Sequence, residues 1–507
     1  MYEKLHNYRC PAILGILTLA LSLSACINKG DVDRFVDNIH DKGLNVTVKE
    51  PVERSFADIK NSGTLRMITR YSSNTYFLHQ GIEWGFEYEL VNEFAKENNL
   101  ALDILVVGPD ENPYDMLNSG KGDIIAANYT ITPEREKYVD FTRAYNIVDQ
   151  LLIYSEDVEN PPKTLQEHAM REIPITVRRN SSYYFRLREL QKELDGLQIN
   201  MVANDKDTES LLFDISNGTY QATVADDNIF QASSKYMSGL NQGPTISEKD
   251  TIAWAIRDNA PELKTQLNRF LYKHFRFGGS DGTVKRSTFL NILRKRYFEE
   301  GPQIAEYYNP ASKIEKSGTI SPYDDLIKSL ADSAGLDWLM ITSMVAQETK
   351  FNPKSESWAG AIGLMQVMPR FSEVKNQEKL YDEEINLREG IRIISEHLKH
   401  YSYMDSTNQW SFALATYNAG PGHVADARRL AIDHNKNPNE WENASDALLK
   451  LMQRKYYKDA RYGFCRGIET VRYVKEVLNR HRTYESILAM SENKSEKKLP
   501  GVIGIFN

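Results

Sequence analysis

Across residues 56–278 the apolar positions alternate between a two-residue and a helical period, the mark of strands interleaved with helices. After Gly63, residues 64–69 read as a strand, as do 101–107 and 123–127. Between the first two, residues 85–98 place Tyr88, Leu90, Val91 and Phe94 on one helical face. Residues 149–155 and 251–257 read as further strands, and 261–275 as an amphipathic helix. From 279 on, only the helical period persists. Residues 286–300 look helical and basic, and the polar stretch 309–318 reads as a connection. Ser321-Pro322-Tyr323-Asp324 has the cap, first-turn proline and acid of a helix start, and Gly335 has the character of its stop. Helices are also expected over 384–401, 409–417, 444–457 and 467–480, with no convincing strand.

Within this helical half, Ile341, Met344 and Val345 share a face with Glu348. A carboxylate ending an apolar stripe is costly unless paired or protonated, and burial raises its pKa toward what a general acid needs. Spacing alone favours a Glu rotated to solvent at a helix end. Asn352-Pro353 should end this helix, because the residue before proline avoids the helical region.

Four ordered blocks follow: Glu348-Thr349, Gly363-Leu364-Met365-Gln366, Thr416-Tyr417-Asn418 and Tyr473-Val474. Over about 319–490 they resemble the lytic transglycosylases of lysozyme-like, goose-type fold. Thr349 stands where that family usually has Ser, and Thr416 where it has Ala. The resemblance implies Glu348 as the catalytic residue, with Thr349, Gly363, Met365, Gln366, Tyr417 and Asn418 around the sugar.

The earlier half contains GFEYELVNEFAKENNL and NSGKGDIIAANYTITPEREKYVDFTRAY. These resemble the periplasmic solute-binding domains that hold polar amino acids. By that resemblance Thr130 and Arg135 grip a ligand carboxylate, Ser181 and Ser182 close on it, and Asp226 receives the ammonium. A guanidinium suits such work through its planar fork. From the residues alone, Arg135 reads equally as a surface ion-pair residue and Asp226 as a helix cap. The strands at 149–155 and 251–257 fit crossings between two hinged lobes.

Lys4 and Arg9 precede an uncharged, mostly apolar stretch over 11–25, and Leu23-Ser24-Ala25-Cys26 resembles a bacterial lipoprotein processing site. The alternative, an uncleaved membrane helix, is disfavoured by an apolar run of about 15–18 residues. The resemblance implies lipidation of Cys26, and Ile27 rather than Asp favours the outer membrane, on its periplasmic face. With Cys10 removed and Cys26 acylated, Cys465 is left alone, so no intramolecular disulfide is expected. A net charge of −8 without a long basic run argues against nucleic acid.

The expected order is a leader (1–26), a tether (27–55), an α/β two-lobe binding-protein-like domain (56–278), a connection (279–318), a mainly α lysozyme-like transglycosylase domain (319–490) and a tail (491–507). Together the halves resemble the membrane-bound lytic murein transglycosylase F family. That implies cleavage of peptidoglycan glycan strands between N-acetylmuramic acid and N-acetylglucosamine to leave 1,6-anhydro ends. A binding domain for an amino acid or muropeptide would modulate it. Neither cofactor nor metal is implied. A goose-type hydrolase, a receptor with an inactive catalytic half, and a plain transport-binding lipoprotein are the alternatives.

Overall fold

Gly63, left-handed at φ +63°, ends the Ser55-capped helix Phe56–Ser62 and turns the chain into the first strand. The computed structural model describes residues 44–108, 110–202, 206–277, 283–299 and 319–496. The leader with Cys26, the tether to residue 43, the Gly278–Gly282 breaker, most of the connection and the tail from 497 lie outside the described residues. Contacts divide the chain at Asn45, and every element named here belongs to residues 46–507.

The strands are β1 (Thr64–Thr69), β2 (Phe77–His79), β3 (Ile82–Trp84), β4 (Ala101–Val106), β5 (Ile124–Thr130), β6 (Asp140–Phe141), β7 (Asn146–Ser155), β8 (Ile175–Arg178), β9 (Ile199–Val202), β10 (Ala222–Asp226) and β11 (Leu240–Ile256). The main sheet runs β4-β1-β5-β11-β7-β10-β8-β9, with β6 beside β11. β1 is parallel to β4 and β5, as expected where helices form the crossovers. β7 and the 17-residue β11 are antiparallel and run from one lobe into the other. The lobes are closed on each other. Asn128 Nδ2 donates to Asp226 Oδ2 at 2.9 Å, Thr130 Oγ1 meets Ser182 Oγ at 3.3 Å, and Ser73 N donates to Glu209 at 3.2 Å.

Two segments read as tether and connection belong to the first lobe instead. Val52 N donates to Asn118 O, and Thr47 N to Asp115 Oδ1, so residues 46–55 lie along that lobe. Arg54 Nε reaches fully buried Asp123 at 3.1 Å, where Arg66 and Arg257 also converge. The basic stretch near 290 forms a strand (Val284–Arg286), a helix (Thr288–Arg294) and a π-turn (Lys295–Glu299). Leu290, Leu293, Tyr297 and Phe298 bury into the first-lobe core.

The helical half comprises Asp324–Ala334, Trp338–Thr349, Glu383–His400, Ser406–Ala419, Pro421–Asp433, Trp441–Lys450, Arg454–Tyr457 and Gly467–Glu496. Ser321 does not cap the first directly: Asp324 accepts from Ile320 N and Ser321 N, and the helix starts three residues after Ser321. The helix expected over 444–457 is broken between Lys450 and Arg454. The last helix continues to Glu496 instead of stopping near 480, because its second half has a partner. Asn479 Nδ2, Arg482 Nη2 and Thr483 Oγ1 donate to Leu102 O, Asp103 Oδ2 and Ile104 O of edge strand β4. Leu339, Tyr484 and Ile487 join the first-lobe core. The uncovered side of an edge strand is thereby satisfied by a helix.

Asp123 pairs with Arg54, Arg66 and Arg257 at 3.1, 2.8 and 3.6 Å. Asp123→Asn leaves buried guanidiniums without their counter-charge. It is expected to cost about 3–5 kcal/mol, read as a lower denaturant midpoint.

Candidate functional site

Asp337 caps the helix Trp338–Thr349 by accepting from Leu339 N, and the stripe Ile341, Met344, Val345 is wholly buried. The helix ends at Thr349, before Asn352-Pro353, because Lys350 (φ 52°) and Phe351 (φ 63°) both turn left-handed. Two side-chain-bearing residues in that region are strained. The strain is held by Phe351, which buries against Gly81 and stacks on Tyr323. The turn leaves Glu348 one residue before the end of the helix.

Glu348 is half-buried, and Tyr473 OH donates to its Oε1 at 2.7 Å. Burial pushes its carboxyl up to about 7, against the lowering effect of that hydrogen bond. Burial and the nearby Glu348 charge push the Tyr417 and Tyr473 phenols well up. Thr349 Oγ1 donates to Leu364 O at 2.9 Å, and Tyr417 OH to Met365 O at 2.7 Å, so the Gly363–Gln366 turn is bound on both sides of Glu348. Gln366, itself left-handed at φ 50°, donates Nε2 to Gly363 O at 3.0 Å. Exposed Asn418 accepts from Thr470 Oγ1.

The structure thus brings together Glu348, Thr349, Gly363, Gln366, Tyr417 and Asn418. Met365 is corrected: its side chain is fully buried against Gly390, and only its backbone serves the site. Gly363, left-handed at φ 74°, has no room for a side chain, since a Cβ would lie 2.3 Å from Asn386 Nδ2. Buried Asn386 accepts from Met365 N and donates to Ile362 O and Leu380 O, fixing the turn. Neither it nor the acid-binding role of Tyr473 is visible from spacing. Cys465 is buried and its thiol is pushed up to about 11, the state of an inert core cysteine.

Thr130, Arg135, Ser181, Ser182 and Asp226 line one cleft between the lobes. Arg135 is not a surface ion-pair residue: it is buried, donates Nη1 to Thr130 O at 2.6 Å, and lies 4.4 Å over the Tyr129 ring. Its Nε meets no acceptor among the described residues. Asp226 precedes a helix without capping it through its side chain, and burial pushes its carboxyl up to about 7. Ser181 instead caps the helix Ser182–Leu190. Arg70, Arg178 and Glu209 also line the cleft, and burial followed by the Arg70 charge lowers half-buried Arg178 to about 10.

Among the described residues, Asp337, His481 and Glu485 bring three possible metal-ligand atoms within 4.8 Å of one another. Asp337 is already engaged, as a helix cap and at 2.6 Å from His481 Nε2. No described helix is long and apolar enough to cross a membrane.

Residues 325–440 match the transglycosylase SLT domain, and residues 65–283 match the bacterial extracellular solute-binding proteins, family 3. A protein of Desulfosudis oleivorans (strain DSM 6200 / JCM 39069 / Hxd3), named membrane-bound lytic murein transglycosylase F, is 30% identical over 86% of this chain and 92% of its own. A protein of the same name from Shewanella woodyi (strain ATCC 51908 / MS32) is 31% identical over 85% of this chain and 86% of its own. A solved ancestral arginine-binding protein bound to arginine is 22% identical, covering 46% of this chain and 98% of that chain, with a TM-score of 0.39.

Glu348 holds its proton more tightly when folded than its ordinary value of 4.5 would allow. Its contribution to stability is therefore full below about 4.5 and lost as pH rises through about 7. Glu348→Gln removes this dependence, so the variant should gain stability relative to the wild type between pH ~5 and ~8, followed by thermal unfolding at each pH.

Proposed function

The chain belongs to the membrane-bound lytic murein transglycosylase F family, and from that premise we propose a mechanism centred on Glu348. The protein is an envelope-associated, peptidoglycan-cleaving lyase with an amino-acid-binding-like domain. Glu348, protonated near neutral pH, gives its proton to the glycosidic oxygen as the bond from the muramic C1 breaks. As a carboxylate it then takes the proton of the muramic 6-hydroxyl, whose oxygen attacks C1 and closes the anhydro ring. One residue serves as acid and then base, and no water is consumed. The observation that carries this reading is the half-buried Glu348 carboxyl, pushed up to about 7 and held at 2.7 Å by Tyr473.

Tyr473 positions the carboxyl, Thr349 and Tyr417 hold the Gly363–Gln366 turn, and Gln366 and Asn418 present amides to the sugar and its acetamido group. In the other half, Arg135 takes a ligand carboxylate, Asp226 its ammonium, and Thr130, Ser181 and Ser182 complete the closed cleft. The ligand is an amino acid or a small peptide carrying both groups. Cys26 is the lipid attachment point, and the protein faces the periplasm from the outer membrane.

Ligand occupancy modulates cleavage through the β2–β3 hairpin. The Ser72–Thr75 segment lines the cleft and leads directly into β2. Gly81 at the hairpin tip packs on Phe351, and Glu83 pairs with Arg480 at 3.1 Å. Arg480 in turn donates to Gln347, the neighbour of Glu348, at 2.7 Å. A shift of lobe two thus has a packed, charge-paired route to the end of the Glu348 helix.

Mass spectrometry of peptidoglycan digested by the wild type should show anhydromuropeptides, and Glu348→Gln should yield none. Reducing ends would establish a hydrolase instead. For regulation, digestion rates are measured with and without amino acids that bind in calorimetry. The wild-type rate changes with the ligand and the Arg135→Ala rate does not. A rate indifferent to a ligand shown to bind would end the regulatory reading.

A further inference from the structure

Trp358 is 95% exposed, the highest of any large apolar side chain among the described residues. The other five tryptophans are buried or half-buried. Nor is it on a slack loop. Gly363 N donates to Ser355 O at 2.8 Å, Ser357 N to Ala361 O at 2.9 Å, and Gly360 N to Ser357 O at 2.9 Å. Ser357 Oγ accepts from Ala361 N at 2.9 Å. These bonds make a short two-stranded ribbon with Trp358 in the turn at its tip, and Gly360 (φ 81°) supplies the left-handed residue that the turn needs. The backbone that carries the indole is thus hydrogen-bonded, while the indole itself lies in water.

The base of this ribbon is the site itself. Ser355 O also accepts from Gln366 Nε2 at 3.3 Å, and Gly363 opens the turn that Thr349 and Tyr417 bind. Three residues of extended chain separate base from tip, so Trp358 stands about 10 Å outward from Gly363. A glycan strand long enough to place one linkage at Glu348 continues past that distance. Its pyranose rings, substituted equatorially, each present a face of axial C–H groups. Such a face matches a flat indole, which has only two side-chain torsions to fix and gains contact area at small entropic cost.

We propose that Trp358 is a stacking platform for a sugar ring of the glycan strand beyond the rings at the scissile bond, and so sets a preference for long strands. This rests on the reading of Glu348 as the cleaving residue. The expected loss on truncation is about tenfold in strand affinity, or ~1.4 kcal/mol.

The test uses the full chain. Binding to purified peptidoglycan sacculi is measured by co-sedimentation for Glu348→Gln, and for the same protein with Trp358→Ala or Trp358→Phe added. The Ala variant should bind about tenfold more weakly and the Phe variant close to the parent. In cleaving protein, Trp358→Ala should raise KM for long glycan strands more than for a short muropeptide oligomer. Equal sacculus binding by the Ala variant, or an equal KM change on long and short substrates, overturns the proposal. So does a loss confined to phosphatidylethanolamine–phosphatidylglycerol vesicles, which would make Trp358 a membrane contact. If Glu348→Gln still cleaves, the Glu348 reading fails, while the binding comparison stands by itself.

Discussion

One face of one helix holds this molecule together. In Gly467–Glu496, Tyr473, Arg480 and Tyr484 follow at intervals of seven and four and so fall on one stripe. Tyr473 meets Glu348, Arg480 meets both Gln347 and Glu83, and Tyr484 OH donates to Gly81 O at 2.6 Å. The residue that holds the proposed acid and the residues that hold the binding domain are therefore fixed to the same rod. Arg480 is the costly member. A half-buried guanidinium persists there because Glu83 lies opposite and Gln347 accepts its second fork.

That arrangement divides the molecule differently from the order of its sequence motifs. The first lobe shares a continuous apolar core with the helical half through Leu339, Tyr484 and Ile487. The second lobe has cores of its own around Leu187 and Leu212. Lobe two joins this body through the crossings in β7 and β11. The bonds across the cleft, among them Asn128–Asp226, Thr130–Ser182 and Ser73–Glu209, are polar, the kind a ligand can replace.

Much of this was legible from periodicity. Strand 64–69 and the helix after Gly85 stand where the pattern put them, because each buries the face its apolar residues mark. The ordered motifs around Glu348, Gln366 and Tyr417 also converge in space. What the sequence concealed depends on distant partners. Asn386 looks like any helix-surface amide until the turn at Gly363 folds onto it. Residues 46–55 look like tether because their hydrogen bonds go to a segment some seventy positions away. Met365 belongs to a motif, yet only its carbonyl reaches the site. The helix Pro421–Asp433 starts on Pro421, a first-turn proline after Gly420, and its buried face of Val424, Ala427 and Ala431 is too small in side-chain volume to stand out as an apolar stripe. Two left-handed residues ended the Glu348 helix early, and no local rule predicts a buried Phe in that conformation.

The helix over the outer edge of β4 bears on how such a protein can be recombined. Cutting between the halves, where two family motifs invite it, would strip Asn479, Arg482 and Thr483 from Leu102, Asp103 and Ile104 and leave a bare strand edge on one product. The other product would carry Tyr484 and Ile487 into water. A chimera that exchanges ligand specificity is better joined within β7 and β11, where the chain already passes between lobes. Inheritance of the unit then runs along the hinge rather than along the linker.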